Sequence, residues 1–372
     1  MDQPLSGVVV VDLTWNLPGP YASSLLQSLG AEVTKVEPPR GDPARSMPGL
    51  FASLNRGKSS VTLDLRAEED RAALRDLFAR ADVVLEGFRP GVAARLGCSA
   101  ADVHAVNPRA VYCSISAFGQ DGPLRDLPGH DLNAQALSGA CHLGRDRSGA
   151  PHGLPLPVAD LSAATHAVAG ITAALYARTR HGRGAVLDVA MLDGAVSWSA
   201  LWGLGVDLAD DARRALPPAA RPAAGRWLER LDRERLHALP HYGCFRCADG
   251  RWIAVGVVDE GHFWSALCDA VGLGRFGRLP MPARVVLGPV LRRLLALRLR
   301  RRSSEAWLSE LAGRGIPVTP VLTPAEALDH PQVRARMVGP DGAVRPPLPG
   351  ARFPTGEVPR RSPPSRAVEP GG

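Results

Sequence analysis

The chain has 372 residues, of which 45% are hydrophobic and 22% charged, an ordinary composition for a globular protein. No stretch approaches twenty uninterrupted apolar residues, and the first apolar run is short and lacks a preceding basic segment. We therefore expect no membrane span and no signal peptide. The net charge is +7, but only two of the 44 basic residues are lysines, and the basic excess is spread along the chain without interleaved aromatics. This pattern does not favour nucleic-acid binding, and we expect a cytoplasmic enzyme with reduced cysteines.

Strands and helices alternate through the first third of the chain. The predicted strands are residues 8–13, 32–37, 61–65, 83–86 and 111–116, and the predicted helices are 20–29 and 68–80. A long helix of small residues follows at 162–179, and after it come a turn, a strand and a further helix. The alternation predicts parallel βαβ units in a doubly wound α/β sheet.

The composition changes near residue 207, which predicts a division into domains. We assign residues 1–206 to a large domain, 207–234 to a linker with helical pieces and 235–312 to a smaller domain. In the smaller domain, two β-rich runs flank Asp249-Gly250, which is a strong hairpin signal. A helix at 262–271 follows. Residues 313–350 are expected to return to the large domain, and 351–372 to form a disordered tail.

Common cofactor and metal motifs are missing or incomplete. Cys244-x-x-Cys247 has no second ligand pair for zinc and lies in a predicted strand, so we interpret it as structural. The turn after the first strand lacks G-x-G-x-x-G, and no Walker A sequence occurs. A dehydrogenase or NTPase is therefore not favoured, and no metal site is predicted.

Several loops beside predicted strand ends carry cationic side chains, and ligands of open α/β sheets bind at such ends. These residues could together clamp phosphates. The alternative is that any loop of so arginine-rich a chain contains arginine, although both lysines lie in or beside these blocks. The candidates are Arg40, Arg45, Arg56, Lys58, Arg89 and Arg95.

The stretch PGHDLNAQALSG, residues 128–139, places His130 beside Asp131 before a segment that can form a helix. Asp131 is a good N-cap for a helix starting at residue 132. His130 is not needed for that purpose. It is either a loop histidine or the functional group of the loop.

Five ordered blocks between about residues 5 and 200 strongly resemble the family III CoA-transferases of the CaiB/BaiF type, which include the α-methylacyl-CoA racemases. They are PGPYASSLLQSLGAEVTKVEPPRGDPAR, LNRGKSSVTLDL, DVVLEGFRPGVAARLG, VYCSISAFGQDGP and RHGRGAVLDVAMLDG. The resemblance implies a Rossmann-like large domain, a smaller α+β domain and two chains interlocked as a homodimer. CoA would lie across the large domain, with Leu63 among its contacts, and the active site would lie between subunits.

The resemblance also assigns candidate catalytic residues. Asp160 in PLPVADLSAATHAVAG matches the family aspartate, which is the nucleophile in transferases and one half of an acid/base pair in racemases. The other half in racemases is a G-H-D histidine, here His130, and Asp131 follows it. A small-domain carboxylate that orients this histidine would be Asp259 or Glu260. The PGP at 18–20 is similar to the racemase branch, and the Gly-rich loop of many transferases is missing.

These observations favour an acyl-CoA α-carbon epimerase or racemase of the 2-methylacyl-CoA type, with two groups serving the two faces of a planar enolate. The alternative is a CoA-transferase with Asp160 as nucleophile. A third possibility is a CoA-binding or scaffold protein without catalysis. We expect an acyl-CoA substrate, a homodimer, no cofactor beyond the CoA of the substrate, and neither nucleic acid nor membrane as partner.

Overall fold

The computed structural model of the chain describes residues 3–146, 148–205 and 208–337, and they fall into two compact units. The first unit comprises residues 3–146, 150–199 and 331–337. The second comprises residues 200–330 with a short segment before residue 150. The boundary at 199–200 falls within one helix, a few residues before the expected end of the large domain.

The first unit contains a six-stranded sheet that is parallel throughout, in the order β3-β2-β1-β4-β5-β6. Its strands are β1 (Val9–Leu13), β2 (Glu32–Glu37), β3 (Ser59–Thr62), β4 (Val83–Glu86), β5 (Val111–Ser116) and β6 (Val186–Ala190). This order reverses direction between β1 and β4, as in a Rossmann fold, so the predicted doubly wound sheet is confirmed.

Helices cover both faces of this sheet. Those of the first unit are α1 (Pro18–Ser28), α2 (Pro48–Asn55), α3 (Glu68–Arg80), α4 (Val92–Arg95), α5 (Ala100–Val106), α6 (Asp131–Leu137), α7 (Ala140–Leu143) and α8 (Val158–His181). Helix α9 (Met191–Gly205) begins in the first unit and crosses the boundary at 199–200. On one face, α1 and α8 share a core that includes Leu26, Ala163 and Ala167. On the other face, Leu74 and Phe78 of α3 lie in a second core with strand residues.

Helix α8 is long and apolar enough, by length and composition, to cross a membrane. Its Ala163, Ala164, Ala167 and Ile171 are fully buried in the core shared with α1. Small side chains on this face allow two helices and a sheet to approach closely. We therefore interpret α8 as a core helix of the first unit.

The second unit has a three-stranded antiparallel sheet in the order β7-β8-β9. Its strands are β7 (Tyr242–Arg246), β8 (Trp252–Gly256) and β9 (Val318–Pro320). Its helices are α10 (Leu208–Ala215), α11 (Gly225–Glu234), α12 (Gly261–Ala270), α13 (Met281–Val286), α14 (Gly288–Leu299), α15 (Ser304–Gly313) and α16 (Pro324–Asp329). The predicted hairpin is confirmed, since Gly250 turns with φ +81° between β7 and β8.

Two domain predictions are wrong. Residues 313–330 do not return to the first unit, because β9 completes the small sheet by pairing with β8. The chain returns to the first unit only at α17 (Pro331–Met337). The segment 207–234, expected as a linker with helical pieces, does contain helices but belongs to the second unit. Trp227 and Leu231 of α11 lie there in a hydrophobic cluster with Ala209 of α10. Residues 338–350 and the expected disordered tail 351–372 lie outside the described residues.

Candidate active site

His130 occupies the N-cap position of α6, with extended backbone (φ −122°, ψ 178°) and an exposed side chain. Its backbone N–H donates to Asn133 Oδ1 at 3.0 Å. The prediction that Asp131 caps this helix is therefore wrong by one residue, because Asp131 is the first helical residue. The imidazole is thus held beside the start of α6, where it faces solvent.

The glycine before His130 is required by close packing. A Cβ atom at Gly129 would lie 2.8 Å from the Phe118 ring and 2.9 Å from Ala117 Cβ. Contacts this short would force the Phe118 ring or Ala117 to shift, so glycine is the residue that fits this turn without strain. The Pro-Gly step therefore fixes where His130 enters the helix.

Asp131 caps a different helix, 28 residues later in the chain. Its Oδ1 accepts hydrogen bonds from the backbone N–H groups of Ala159 at 2.8 Å and Asp160 at 3.2 Å. These belong to the first turn of α8, whose own N-cap residue, Pro157, provides no side-chain acceptor. The first amides of a helix lack partners within it and favour a negative charge. Asp131 therefore joins the start of α6 to the start of α8.

Asp160 lies in this first turn of α8 and is partly buried. Burial raises the pKa of its carboxyl to about 7, and the neighbouring Asp131 charge adds to the increase. A carboxylic acid that titrates near neutrality can both take up and release a proton under cellular conditions. The structure thus brings the predicted His130, Asp131 and Asp160 together in one unit.

Glu260 lies in the second unit, at the N-cap of α12. Its carboxylate accepts from the Val258 N–H at 3.0 Å, and backbone N–H groups of Glu260 itself and of Val258 hold its pKa below the ordinary value. The neighbouring Asp259 is exposed. In this chain, Glu260 thus serves the loop that precedes α12.

A cavity of about 350 Å³ opens beyond the carboxyl ends of β1, β2 and β3, beside the point where the strand order reverses. Trp15 and Phe88 meet edge to face there, with ring centroids 5.8 Å apart, and the Arg40 guanidinium lies 5.8 Å from the Trp15 ring. An apolar slot with aromatic walls and an arginine suits a flat heteroaromatic ring that bears phosphate. The lining residues include the predicted Arg40 and Leu63, together with Trp15, Val36, Pro38 and Phe88.

Trp15 and Phe88 were missed by the sequence reasoning, which searched the strand ends for cations. Each follows a strand of the sheet closely, Trp15 after β1 and Phe88 after β4. An aromatic residue just past a buried strand at the switch point was the available signal.

The prediction that Lys58 binds phosphate is wrong. Its ammonium is fully buried and lies 3.2 Å from Asp12 Oδ2. Burial opposes ionisation of Asp12, but the neighbouring Lys58 and Lys35 charges hold the pKa of its carboxyl at about 2. Lys58 is therefore a structural cation, since its ammonium also donates to three oxygens of the core, Pro20 O (2.9 Å), Ser23 Oγ (2.7 Å) and Asn55 Oδ1 (2.9 Å).

The other predicted cations divide into two groups. Arg45 has a structural role, because it forms a two-pronged ion pair with Glu37 and stacks over Phe51 at 4.1 Å. Three others are exposed but do not line the cavity, and they stay candidates for the phosphates of an extended ligand. They are Arg56, Arg89 and Arg95.

Within the part of the chain that the structure describes, no three His, Cys, Asp or Glu side chains are grouped so that they could hold a metal ion. The six cysteines are all unpaired, and Cys244 is exposed whereas Cys247 is buried.

The sequence profile of CoA-transferase family III matches residues 5–355. The chain belongs to this family. The family III chain is 34% identical over 350 residues to acetyl-CoA:oxalate CoA-transferase of Acetobacter aceti, with 90% of this chain and 84% of that protein covered. It is 33% identical to human alpha-methylacyl-CoA racemase, with 89% and 81% covered. These two identities are nearly equal, so they place this family III protein in acyl-CoA metabolism without selecting the reaction.

The fold of this family III chain also matches solved structures. A CAIB/BAIF family protein from Brucella suis superposes with a TM-score of 0.80 at 30% identity, and the match covers 98% of this chain and 96% of the other. Because the match covers nearly the whole of both chains, both units of this family III protein are shared with that structure.

Proposed function

We propose that the protein transfers a proton at the α-carbon of an acyl-CoA, most simply as a 2-methylacyl-CoA epimerase. The observation that carries this proposal is Asp160, a carboxyl group whose pKa burial raises to about 7, at a helix start that Asp131 ties to the His130 turn. A base for a weakly acidic α-proton works best when its pKa lies near the working pH. A carboxylate that serves as a nucleophile gains nothing from a raised pKa at neutrality, because half of it is then protonated.

The proposed reaction needs one group on each face of the α-carbon. The unprotonated group removes the α-proton, and the electron pair moves into the thioester carbonyl to form an enolate. The protonated group then returns a proton to the opposite face, so the two groups exchange protonation states. His130 and Asp160 are assigned these roles, and the first amide groups of α6 are assigned to the enolate oxygen.

The CoA part is assigned to the cavity lined by Trp15, Phe88 and Arg40. Its aromatic walls suit the adenine ring, and Arg40 suits a phosphate. The cavity is formed by the carboxyl ends of the same parallel sheet that carries the catalytic loop after β5, which is where ligands of doubly wound sheets bind.

A CoA-transferase is the second candidate, with Asp160 as the nucleophile that accepts the acyl group. It is favoured by the similarity to acetyl-CoA:oxalate CoA-transferase over 90% of the chain. In such a reaction the carboxylate attacks the thioester carbonyl, which gives an anhydride and releases CoA thiolate. The thiolate then attacks the Asp160 carbonyl, so the donor acid leaves and Asp160 carries CoA as a thioester. An acceptor carboxylate takes the CoA by the reverse of these steps, and the Asp160 carboxylate is regenerated. His130 has no evident part in those steps.

Deuterium incorporation distinguishes the two reactions. The purified protein is mixed with (2S)-2-methylacyl-CoA in D2O without an acceptor acid, and the α-position is followed by mass and NMR. The epimerase is supported if deuterium enters with inversion in the wild type and in the exposed control His152→Gln. This exchange should be lost in His130→Gln and in Asp160→Asn. No exchange, together with CoA transfer to a labelled acid added later, rejects it in favour of the transferase.

A homodimer is also proposed. Several large apolar side chains of the first unit are exposed, and a second copy of the chain is proposed to cover them. They are Leu132, Leu156, Tyr176 and Trp198. Light scattering of the purified protein tests this proposal, and a mass of one chain at micromolar concentration contradicts it.

A further inference from the structure

Gln135 lies one turn after Asp131 on α6 and is 1% exposed. Its Oε1 accepts from the Leu154 backbone N–H at 2.8 Å, in the segment that leads into α8. Because that N–H can only donate, the amide orientation is fixed. The Gln135 NH2 group therefore points the other way, where it donates to Asp131 Oδ2 and to the Leu156 carbonyl at 3.3 Å.

We propose that Gln135 is a positioning residue of the candidate active site: its side-chain amide holds the Asp131 carboxylate on the first amides of α8, next to Asp160. The two oxygens of Asp131 are engaged on opposite sides. Oδ1 takes the N–H groups of Ala159 and Asp160, and Oδ2 takes the amide of Gln135. With both oxygens held, the carboxylate cannot rotate away from α8.

The consequence concerns the proton on Asp160, so this inference rests on the role given to Asp160 above. Helix α8 packs against α1, α6, β5 and β6. The titratable groups of those elements are Tyr21, Asp131, Tyr112, Cys113 and Asp188, with His130 at the start of α6 and His166 farther along α8. The charge that acts on Asp160 is that of Asp131, and it adds to the effect of burial.

Gln135 acts on Asp160 in two ways through this arrangement. It keeps a negative charge beside the Asp160 carboxyl, which disfavours ionisation. It also keeps the α8 amides occupied by Asp131, so they do not stabilise an ionised Asp160. Without the Gln135 donor, Asp131 is free to turn towards solvent, and both effects weaken. The proton affinity of Asp160 then falls.

The test reads the protonation of Asp160 directly and needs no substrate. Carbodiimide with an amine nucleophile labels protonated carboxyl groups, and peptide mass spectrometry gives labelling at Asp160 as a function of pH. The variants are Gln135→Leu and Gln135→Met, so that a folding failure of one leaves the other. The matched control is Gln120→Leu, which loses a hydrogen bond to Ser114 in the same unit. Thermal melting is recorded for each protein.

We expect the midpoint for Asp160 to fall by at least half a pH unit in either Gln135 variant and to stay unchanged in Gln120→Leu. A lower melting temperature with an unchanged midpoint overturns the proposal, because Gln135 is then only a structural residue. Since no substrate is present, a shifted midpoint in a protein without α-proton exchange supports this inference while it rejects the proposed reaction.

Discussion

The Asp131 carboxylate accepts a hydrogen bond from the backbone N–H of Asp160 at 3.2 Å. The two residues are far apart in sequence, yet one sets the electrostatic surroundings of the other. A carboxyl group in the first turn of a helix is ordinarily stabilised in its ionised form by free amides. Burial raises the pKa of Asp160, and the Asp131 charge adds to the increase. The first amides of α8 are used by that second carboxylate, so they do not offset it.

Replacing Asp131 by Asn is expected to lower the pKa of Asp160 by about one unit, because it removes the neighbouring negative charge. The Asn oxygen can still accept from the α8 amides, whereas its NH2 group faces the Gln135 NH2 group and cannot accept from it. The measurement is the pH midpoint of carboxyl labelling at Asp160. Asp126→Asn, at an exposed loop position, is the control, and an unchanged midpoint in Asp131→Asn contradicts the explanation.

Replacing Asp160 by Asn is expected to increase the free energy of unfolding more at pH 8 than at pH 4.5. The folded state holds the Asp160 proton up to about pH 7, whereas the unfolded chain releases it near the ordinary pKa of 3.8. Ionisation therefore disfavours folding, with no effect below pH 4 and a full effect above pH 7. The largest change that this ionisation can make to the free energy of unfolding is about 4 kcal/mol. Urea unfolding at both pH values measures the difference, and an equal effect of the substitution at both rejects the raised pKa.

Replacing Lys58 by Met is expected to reduce the free energy of unfolding by about 3–5 kcal/mol, because Asp12 is left buried without its partner. The neighbouring Arg56→Met is the control and should change it by less than about 0.5 kcal/mol, since Arg56 is exposed. Chemical denaturation measures both. If Lys58→Met instead has normal stability and weakened CoA binding, Lys58 binds CoA and is not a structural cation.

Replacing Trp15 by Ala is expected to weaken CoA binding roughly tenfold, since stacking of a base on an aromatic ring contributes about 1–3 kcal/mol. Isothermal titration with free CoA measures the dissociation constant. Trp252→Ala removes an exposed tryptophan of β8 and serves as the control. Equal affinity in Trp15→Ala and wild type would exclude this cavity as the adenine site.

Replacing His241 by Phe is expected to make the second unit more tolerant of acid. Burial lowers the pKa of His241 to about 4, whereas an unfolded histidine takes up its proton near 6.5. Stability is therefore lost as the pH falls from about 6.5 towards 4, and Phe removes this dependence. Thermal melting between pH 7 and pH 4.5 measures it, with the exposed His262→Phe as control. The prediction is contradicted if the melting temperatures of wild type and His241→Phe fall by the same amount between pH 7 and pH 4.5.

Local patterns were sufficient for most elements of the first unit. The predicted bounds of β2, α3, β4 and β5 match the structure, because buried β-branched runs and an acidic helix start are signals that neighbouring residues carry. The short β9 was assigned to the wrong unit, because three residues do not specify which sheet they join. Pairing with β8 depends on contacts more than sixty residues apart.

The candidate site shows the same division between local and distant information. His130, Asp131 and Asp160 were predicted from motifs, but the helix that Asp131 caps follows from the fold. Asp131 meets α8 only because α6 and α8 pack against each other. Lys58 was misassigned for the same reason, since its partner Asp12 lies 46 residues earlier on β1. A cation beside a strand end gives no sign in the sequence of whether it points to ligand or to core.

The burial of Lys58 has a counterpart in Lys35, whose ammonium lies 2.8 Å from Asp42 and is equally inaccessible. These are the only two lysines of the chain. The folded protein therefore offers no lysine amine to solvent. Acyl thioesters acylate free amines without a catalyst, and a protein that handles them with an arginine surface is protected from this side reaction. For the same reason, an amine-directed reagent will report lysine modification only when the first unit opens.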